Sequence, residues 1–247
     1  MSDVYAAAPA APGEFRVGNV LSKTMTLLSR NFLPFCIVTT IAAIPNVLIS
    51  QTAERNPSTA SVGWIVVGAF LTIALSMLSQ AVVLYAAFQD MRGRPVNLGE
   101  SLRVALGRLL AIIGLAFCVS IGAGIGMVLL IIPGLILLTM WYVATPVCVV
   151  EQKGPLSSMG RSSELTKGHR WKIFGMIILV FIVAAIVGGI IGALLGLTGS
   201  IVLVALGTLL WSGIWGAFYA VFVVVTYHDL RVAKEGIDTD QIAAVFD

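Results

Sequence analysis

Four long runs without a charged residue constrain the fold of this chain more than any other feature. They cover residues 31–53, 56–89, 109–150 and 173–227. A bilayer core about 30 Å thick is crossed by roughly 20 helical residues, so the first two runs fit one span each. The third run contains Pro133-Gly134, a turn signal, and the fourth is interrupted by 197–200 (LTGS). The runs therefore predict six transmembrane helices, at about 32–52, 62–89, 109–131, 134–150, 172–197 and 201–228.

The overall composition supports an all-α integral membrane protein. Only 11% of the residues are charged and 58% are hydrophobic, with a mean hydropathy of +0.99, whereas soluble domains carry about 25% charged residues. No stretch alternates polar and apolar residues as transmembrane β-strands do. We predict a membrane domain over 15–230, a disordered cytoplasmic tail over 1–14 without a cleaved signal peptide, and a cytoplasmic tail over 231–247.

The placement of positive charge predicts the orientation. Six spans put both termini on one side, and fourteen of the fifteen Lys and Arg residues fall on that side, with only Arg55 opposite. Because basic loops stay in the cytoplasm, we expect both termini to be cytoplasmic.

Three amphipathic segments precede the predicted hairpins. Residues 15–30 place their apolar residues on one helical face, 97–109 repeat the pattern, and 155–168 form a weaker third copy. The pattern predicts a threefold repeat of an interfacial helix followed by a transmembrane hairpin, over 15–90, 96–150 and 154–228. Such helices either lie in the headgroup plane or pack as caps on the bundle, and the sequence leaves both open.

The third repeat and the following tail resemble a known family. Residues 146–151 read PVCVVE, 161–162 RS, 165–168 LTKG and 170–171 RW, and the chain closes with 227–231 (YHDLR) and 235–236 (EG). Together these motifs resemble the membrane domain attached to some bacterial glycerophosphoryl diester phosphodiesterases, over about 15–235, although His228 stands where a second aromatic residue is usual. The resemblance implies a bacterial cytoplasmic membrane protein. The catalytic phosphodiesterase domain of that family has no counterpart in this chain.

Basic residues at the cytoplasmic end are candidates for binding a phosphate or an anionic lipid headgroup. The alternative is that they only hold the loops in the cytoplasm, with Glu151 and Glu164 pairing some of them. The candidates are Arg161, Ser162, Lys167, Arg170 and Lys172, together with Arg103, Arg108 and Arg30.

Gly188, Gly192 and Gly196 recur every fourth residue and form a small-xxx-small pattern in the fifth span. This pattern predicts close helix packing, either inside one bundle or between copies in a homo-oligomer. We interpret His228-Asp229 as part of a capped helix end rather than as an acid–base or metal pair, and 240–246 as a short tail helix. The three cysteines Cys36, Cys118 and Cys148 lie in apolar runs and predict no disulfide framework.

The absence of a catalytic constellation favours a non-enzymatic function without cofactor or metal. We hypothesise a protein that binds membrane phospholipids and organises or shapes the membrane, with no nucleic-acid partner. The alternatives are a transporter of a lipid or small solute, and a membrane anchor or accessory subunit for a separate soluble enzyme. Ion-coupled transport is disfavoured because the spans carry no ionisable group at bilayer depth, where the deepest polar residues are Asn46, Gln80 and Ser120.

Overall fold

The computed structural model describes residues 15–55 and 62–236, and within these ranges the chain consists of helices joined by short connections, without a β-strand. The predicted 1–14 tail, the 240–246 helix and the loop around 53–61 lie largely or wholly outside the described residues. The helices are α1 (Val17–Arg30), α2 (Phe32–Arg55), α3 (Val62–Met91), α4 (Leu98–Leu129), α5 (Ile131–Met140), α6 (Ala144–Val150), α7 (Pro155–Thr166), α8 (Arg170–Gly196) and α9 (Ile201–Glu235).

Six stretches of the described chain are long and apolar enough to cross a membrane, which confirms the predicted fold class. Five of them lie in α2, α3, α4, α8 and α9, and the remaining one combines α5 and α6 over Ile131–Val150. Both ends of the described chain reach the same end of the bundle, because Lys23 of α1 and Asp229 of α9 form an ion pair of 2.8 Å. We refer to this end, which carries α1, α7 and the last turns of α9, as the charged end.

Local sequence signals explain several helix ends. The side chain of Asn97 caps α4 by accepting a hydrogen bond of 3.0 Å from the backbone amide of Glu100. The turn between α8 and α9 is formed around Gly199, whose φ of +63° favours glycine. Ser200 then caps α9, and Gly236, again with a φ of +63°, ends it.

Two of the predicted helix boundaries at the charged end were wrong. The amphipathic segment 97–109 is continuous with the following span, so α4 is a single helix rather than an interfacial helix joined to a span. The last span does not end near residue 228, because α9 continues to Glu235. His228 and Asp229 therefore lie inside a helix, and the interpretation of these residues as a capped helix end was also wrong.

The fourth span differs most from the prediction. A single helix was expected over 134–150, but the chain leaves the helix at Trp141 and starts again at Ala144. The turn before it lies at Leu130 rather than at Pro133-Gly134. Gly134 serves close packing instead, since an added Cβ would lie 2.7 Å from the backbone nitrogen of Met127 on α4.

The tightest packing lies in the half of the bundle nearest the charged end. The central contact joins α2 and α9, where the Thr39 hydroxyl donates a hydrogen bond of 2.6 Å to the Gly213 carbonyl. Val221, Val224 and Tyr227 of α9 are completely buried. At the opposite end, residues 128–132 around the α4–α5 turn are all more than two-thirds exposed, as expected for side chains that face lipid.

The amphipathic helix α1 packs as a cap on the bundle. Its apolar face is buried against the bundle through Val20, Thr24, Leu27 and Leu28, and its main contact is with α9. Helix α7 turns hydroxyl side chains rather than only apolar ones toward the bundle. It buries Ser158, Ser162 and Thr166 and leaves Leu156 73% exposed. The threefold repeat itself stays a prediction.

Candidate lipid-contacting site

Arg161 is surrounded by carboxylates, so its charge is balanced within the protein. Its guanidinium contacts Glu235 at the end of α9, Glu151 at 3.5 Å and Glu164 at 3.7 Å. These contacts tie α7 to the end of α6 and to α9. We infer that Arg161 stabilises the charged end and is poorly placed to hold a lipid headgroup.

Glu151 is the centre of this network. The Tyr227 hydroxyl donates a hydrogen bond of 2.9 Å to one carboxylate oxygen, and Lys153 lies 2.7 Å from the other. Burial raises the pKa of the Glu151 carboxyl, but the hydrogen bonds from Lys153 and Tyr227 and the charge of Arg161 outweigh it and hold the pKa below its usual value. Glu151 is therefore ionised at neutral pH and acts as a structural anion.

Ser162 is buried and holds the break in the fourth span. The helix stops at Met140, which leaves the Met140 carbonyl without its usual helical donor. The Ser162 hydroxyl donates to this oxygen at 2.9 Å, and the Thr166 hydroxyl lies 3.3 Å from it. Ser162 therefore donates its only hydroxyl proton to the backbone, and this proton does not bind an anion.

The connection from α7 to α8 carries three cations that have no carboxylate partner among the described residues. Lys167 is exposed at the end of α7. Arg170, the first residue of α8, donates to the Ser163 hydroxyl at 3.3 Å, while its buried Nε has no hydrogen-bond partner in the described part of the chain. Lys172 donates to the Phe15 carbonyl at 3.3 Å. We call residues 167–172 the basic connection.

The electrostatic environment of the basic connection is positive. His169 packs against Phe15 with ring centroids 5.5 Å apart. Burial lowers the pKa of His169, and the charges of Lys234 and Lys172 lower it further. The amino terminus of the 27-residue helix α8 adds the positive end of its dipole at Arg170. An anion at this position is stabilised by the charges of Lys172 and Lys234 and by the dipole of α8.

An apolar groove of about 370 Å³ begins beside Arg170. Arg170, Trp171 and Phe174 form one side of it at the start of α8. The other side is the face of α5 that carries Ile132, Leu135, Ile136 and Thr139. Trp171 is 80% exposed, as is typical of a tryptophan at the boundary between lipid and water. The arrangement places a cation at the head of an acyl-sized groove, which suits an anionic amphiphile.

The other predicted cations lie on different helices. Arg30 is exposed at the end of α1, and Arg103 is exposed on the first turns of α4. Arg108 donates to the Gln152 side chain at 3.2 Å. These residues contribute to the charge of this end, but they sit on α1 and α4 rather than on the basic connection.

The three glycines of α8 divide into two groups. An added Cβ at Gly188 would lie 2.8 Å from Trp211 Nε1, so this glycine permits packing of α8 against α9 within one chain. At Gly192 and Gly196 an added Cβ would meet no described atom within 4 Å. Any self-association through these glycines would therefore use Gly192 and Gly196 and not Gly188.

The sequence reasoning missed the groove, although the apolar residues at i, i+3 and i+4 from Ile132 indicated its α5 wall. It also missed Trp171 as part of the site. Among the described residues, no group of His, Cys, Asp and Glu is arranged to hold a metal ion.

Comparison with known families assigns no activity to this site. Residues 118–230 match a domain of unknown function, DUF7847, over slightly less than half of the chain. The match runs from the second half of α4 to α9 and includes the broken span, the basic connection and the groove. No curated protein and no solved structure matches the chain. The resemblance to the membrane domain of phosphodiesterases stays a prediction.

Proposed function

We propose that this protein is a non-enzymatic, multi-pass protein of the bacterial cytoplasmic membrane that binds an anionic phospholipid. The headgroup lies on the basic connection and one acyl chain lies in the groove between α5 and α8. Both termini face the cytoplasm. The observation that carries the proposal is the position of Arg170, whose guanidinium has no carboxylate partner within 15–55 and 62–236 and stands at the head of the groove.

The expected selectivity follows from the charge of the site. A Lys or Arg near the membrane surface attracts anionic lipid by about 1 kcal/mol, so Lys167, Arg170 and Lys172 together supply about 3 kcal/mol. This corresponds to a preference of about a hundredfold over a zwitterionic lipid, since each 1.4 kcal/mol is tenfold. The guanidinium of Arg170 also suits bidentate binding of a phosphate.

A role in organising the membrane follows from retaining lipid at a rigid site. The carboxylate network of Glu151, Arg161 and Glu235 joins α7 to the ends of α6 and α9 near the basic connection. A lipid held there has a defined position relative to the bundle. Self-association through the open face of α8 would extend this order to several copies.

The test uses quenching of Trp171 fluorescence in vesicles that contain brominated lipid. The contribution of Trp171 is the difference between the wild type and Trp171→Phe. We expect brominated phosphatidylglycerol to quench this signal much more strongly than brominated phosphatidylcholine. Arg170→Gln should weaken the preference about fivefold, the effect of losing about 1 kcal/mol.

Arg94→Gln is the matched control, because Arg94 is exposed in the α3–α4 loop, away from the groove. This variant should quench like the wild type. Equal quenching by the two brominated lipids would overturn the proposal, as would identical behaviour of Arg170→Gln and Arg94→Gln. Labelling of cysteines introduced into the loops, from either side of the membrane, verifies that each variant keeps its orientation.

A further inference from the structure

A second and larger cavity, of about 580 Å³, lies inside the bundle behind the groove. It is lined by residues of α3, α4, α5, α6, α8 and α9 and of the break between α5 and α6. Its volume is in the range of about 300–1,000 Å³ that is typical of small-molecule sites. Leu135, Thr139 and Phe174 line both the groove and the cavity, so the two spaces adjoin between α5 and α8.

The cavity lies deep in the bilayer. Gln80 on its α3 wall is nine residues from Gln89, and Tyr219 on its α9 wall is eight residues from Tyr227. Both Gln89 and Tyr227 make polar contacts at the charged end. At 1.5 Å per residue these separations are about 14 Å and 12 Å, close to half of a hydrocarbon core.

The broken span forms part of the cavity wall. Trp141 and Tyr142, which form the turn between α5 and α6, both line the cavity. Gly122 on α4 makes room for the Trp141 ring, because an added Cβ would lie 2.6 Å from its Cη2. Non-helical backbone at membrane depth is tolerated where it is enclosed by protein or lines a cavity, and in transporters such breaks surround binding sites.

Polar groups in the wall have unused hydrogen-bonding capacity. The side chains of Gln80, Ser120 and Thr145 line the cavity and make no hydrogen bond to another described residue. The Tyr142 hydroxyl at the break is buried and has no hydrogen-bond partner in the described ranges. An amide carries two N–H donors and one acceptor, and leaving them unpaired in an apolar environment is unfavourable. A bound polar group would remove this penalty.

We propose that the cavity binds one neutral, long-chain molecule that carries a hydroxyl or carbonyl oxygen. The Gln80 amide donates to this oxygen, with the Thr145 hydroxyl as a second partner, and the chain packs against the apolar wall. The ligand is neutral because, among the described residues, no Asp, Glu, Lys, Arg or His side chain lines the cavity. This site is separate from the headgroup site on the basic connection and takes a different class of lipid.

The probe is a long-chain primary alcohol that carries a diazirine in the middle of its chain, added to the full chain in nanodiscs. After irradiation, labelled residues are located by peptide mass spectrometry. We expect label on Leu115 and Val119, which line the cavity, in excess over Phe117, which is 67% exposed on the lipid-facing side of the same helix. The unlabelled alcohol should compete for the cavity positions and not for Phe117.

Two variants test the roles of the amide and the volume. Gln80→Leu should lower labelling of Leu115 about fivefold, the effect of losing one hydrogen bond in an apolar site. Ala116→Phe fills the cavity and should abolish the same labelling, whereas Ala193→Phe, on an exposed position of α8, should leave it unchanged. Thr145→Val removes only a hydroxyl and should cause a smaller loss, which provides a readout if Gln80→Leu does not fold.

Equal labelling of Leu115 and Phe117 in the wild type would overturn the proposal, because it would show partition into bulk lipid only. Unchanged labelling in Ala116→Phe would also overturn it. If both Gln80→Leu and Thr145→Val label like the wild type, the polar anchoring is refuted. Arg170→Gln should retain the labelling, which separates this site from the headgroup site.

Discussion

The break in the fourth span yields a sharp prediction about stability. Ser162→Ala removes the hydroxyl that donates to the Met140 carbonyl at 2.9 Å. An unsatisfied buried carbonyl destabilises a protein by about 1–3 kcal/mol. Thr166 lies 3.3 Å from the same oxygen and is positioned to replace the lost donor. We therefore expect Ser162→Ala alone to lower the free energy of unfolding by only about 1 kcal/mol, the lower end of that range.

The double variant Ser162→Ala/Thr166→Val leaves the carbonyl without either hydroxyl. We expect a loss of about 3 kcal/mol, which exceeds the sum of the single variants by about 1 kcal/mol, as is typical of residues that share a partner. The assay is equilibrium unfolding in detergent micelles, followed by circular dichroism, for the wild type, Ser162→Ala, Thr166→Val and the double variant. The decisive result is the coupling energy, which is the loss in the double variant minus the sum of the losses in the two single variants.

Ser157→Ala is the matched control, because Ser157 lies exposed on the same helix. This substitution should change stability by less than about 0.5 kcal/mol. The reasoning is refuted if the two single losses add up to the double loss within about 0.3 kcal/mol, since contacts with a shared carbonyl must couple. It is also refuted if Ser162→Ala is no more destabilising than Ser157→Ala.

Three further predictions concern packing and pH. Gly213→Val forces a side chain against Thr40 and should lower the free energy of unfolding by about 1–3 kcal/mol, whereas Gly192→Val, which meets no described atom within 4 Å, should leave it unchanged in thermal unfolding. The fold lowers the pKa of Glu151 below its usual 4.5. Its contribution to stability is therefore present above pH 4.5 and is lost as the pH falls through the lower pKa of the folded state. Glu151→Gln should be less stable than the wild type at neutral pH and should not show this loss of stability in an acid titration. The fold also lowers the pKa of His169 from 6.5, so protonation of His169 disfavours the folded state. Stability should therefore fall as the pH drops through 6.5. His169→Gln should remove this dependence in melting curves recorded from about pH 8 to about pH 5.

The spans could be predicted because their signal is local. An uncharged run of bilayer length has few alternatives to a membrane helix. The turn around Gly199 could also be predicted from local sequence, since a glycine at a positive φ is a common way to end a helix. The distribution of Lys and Arg likewise predicted one basic end, and the pairing of Lys23 with Asp229 brings both ends of the described chain to one end of the bundle.

The break between α5 and α6 could not be predicted in the same way. Residues 131–150 are uncharged and hydrophobic overall, so hydropathy does not distinguish one helix from two. The break depends on partners that are remote in sequence, because Ser162 lies 22 residues from Met140. Gly122 accommodates the Trp141 ring, but the sequence alone does not show which residue packs against this glycine.

The candidate cations were found from the sequence, but their roles were not. Arg161 and Arg170 look equivalent as basic residues of one loop. The partner that distinguishes them is Glu235, which lies 74 residues from Arg161 and pairs with it across the fold. Tertiary contacts therefore leave Arg170 as the residue at the head of the groove, whereas Arg161 joins a carboxylate network.

The central claim is that the basic connection retains anionic phospholipid, and native mass spectrometry of the protein in nanodiscs formed from its own membranes tests it most directly. The wild type should carry at least one anionic phospholipid per chain after bulk lipid is removed. The triple variant Lys167→Gln/Arg170→Gln/Lys172→Gln should lose this lipid, while Arg94→Gln, with orientation verified in both, should keep it. An unchanged complement of anionic lipid in the triple variant, or a wild type that carries none, would contradict the claim.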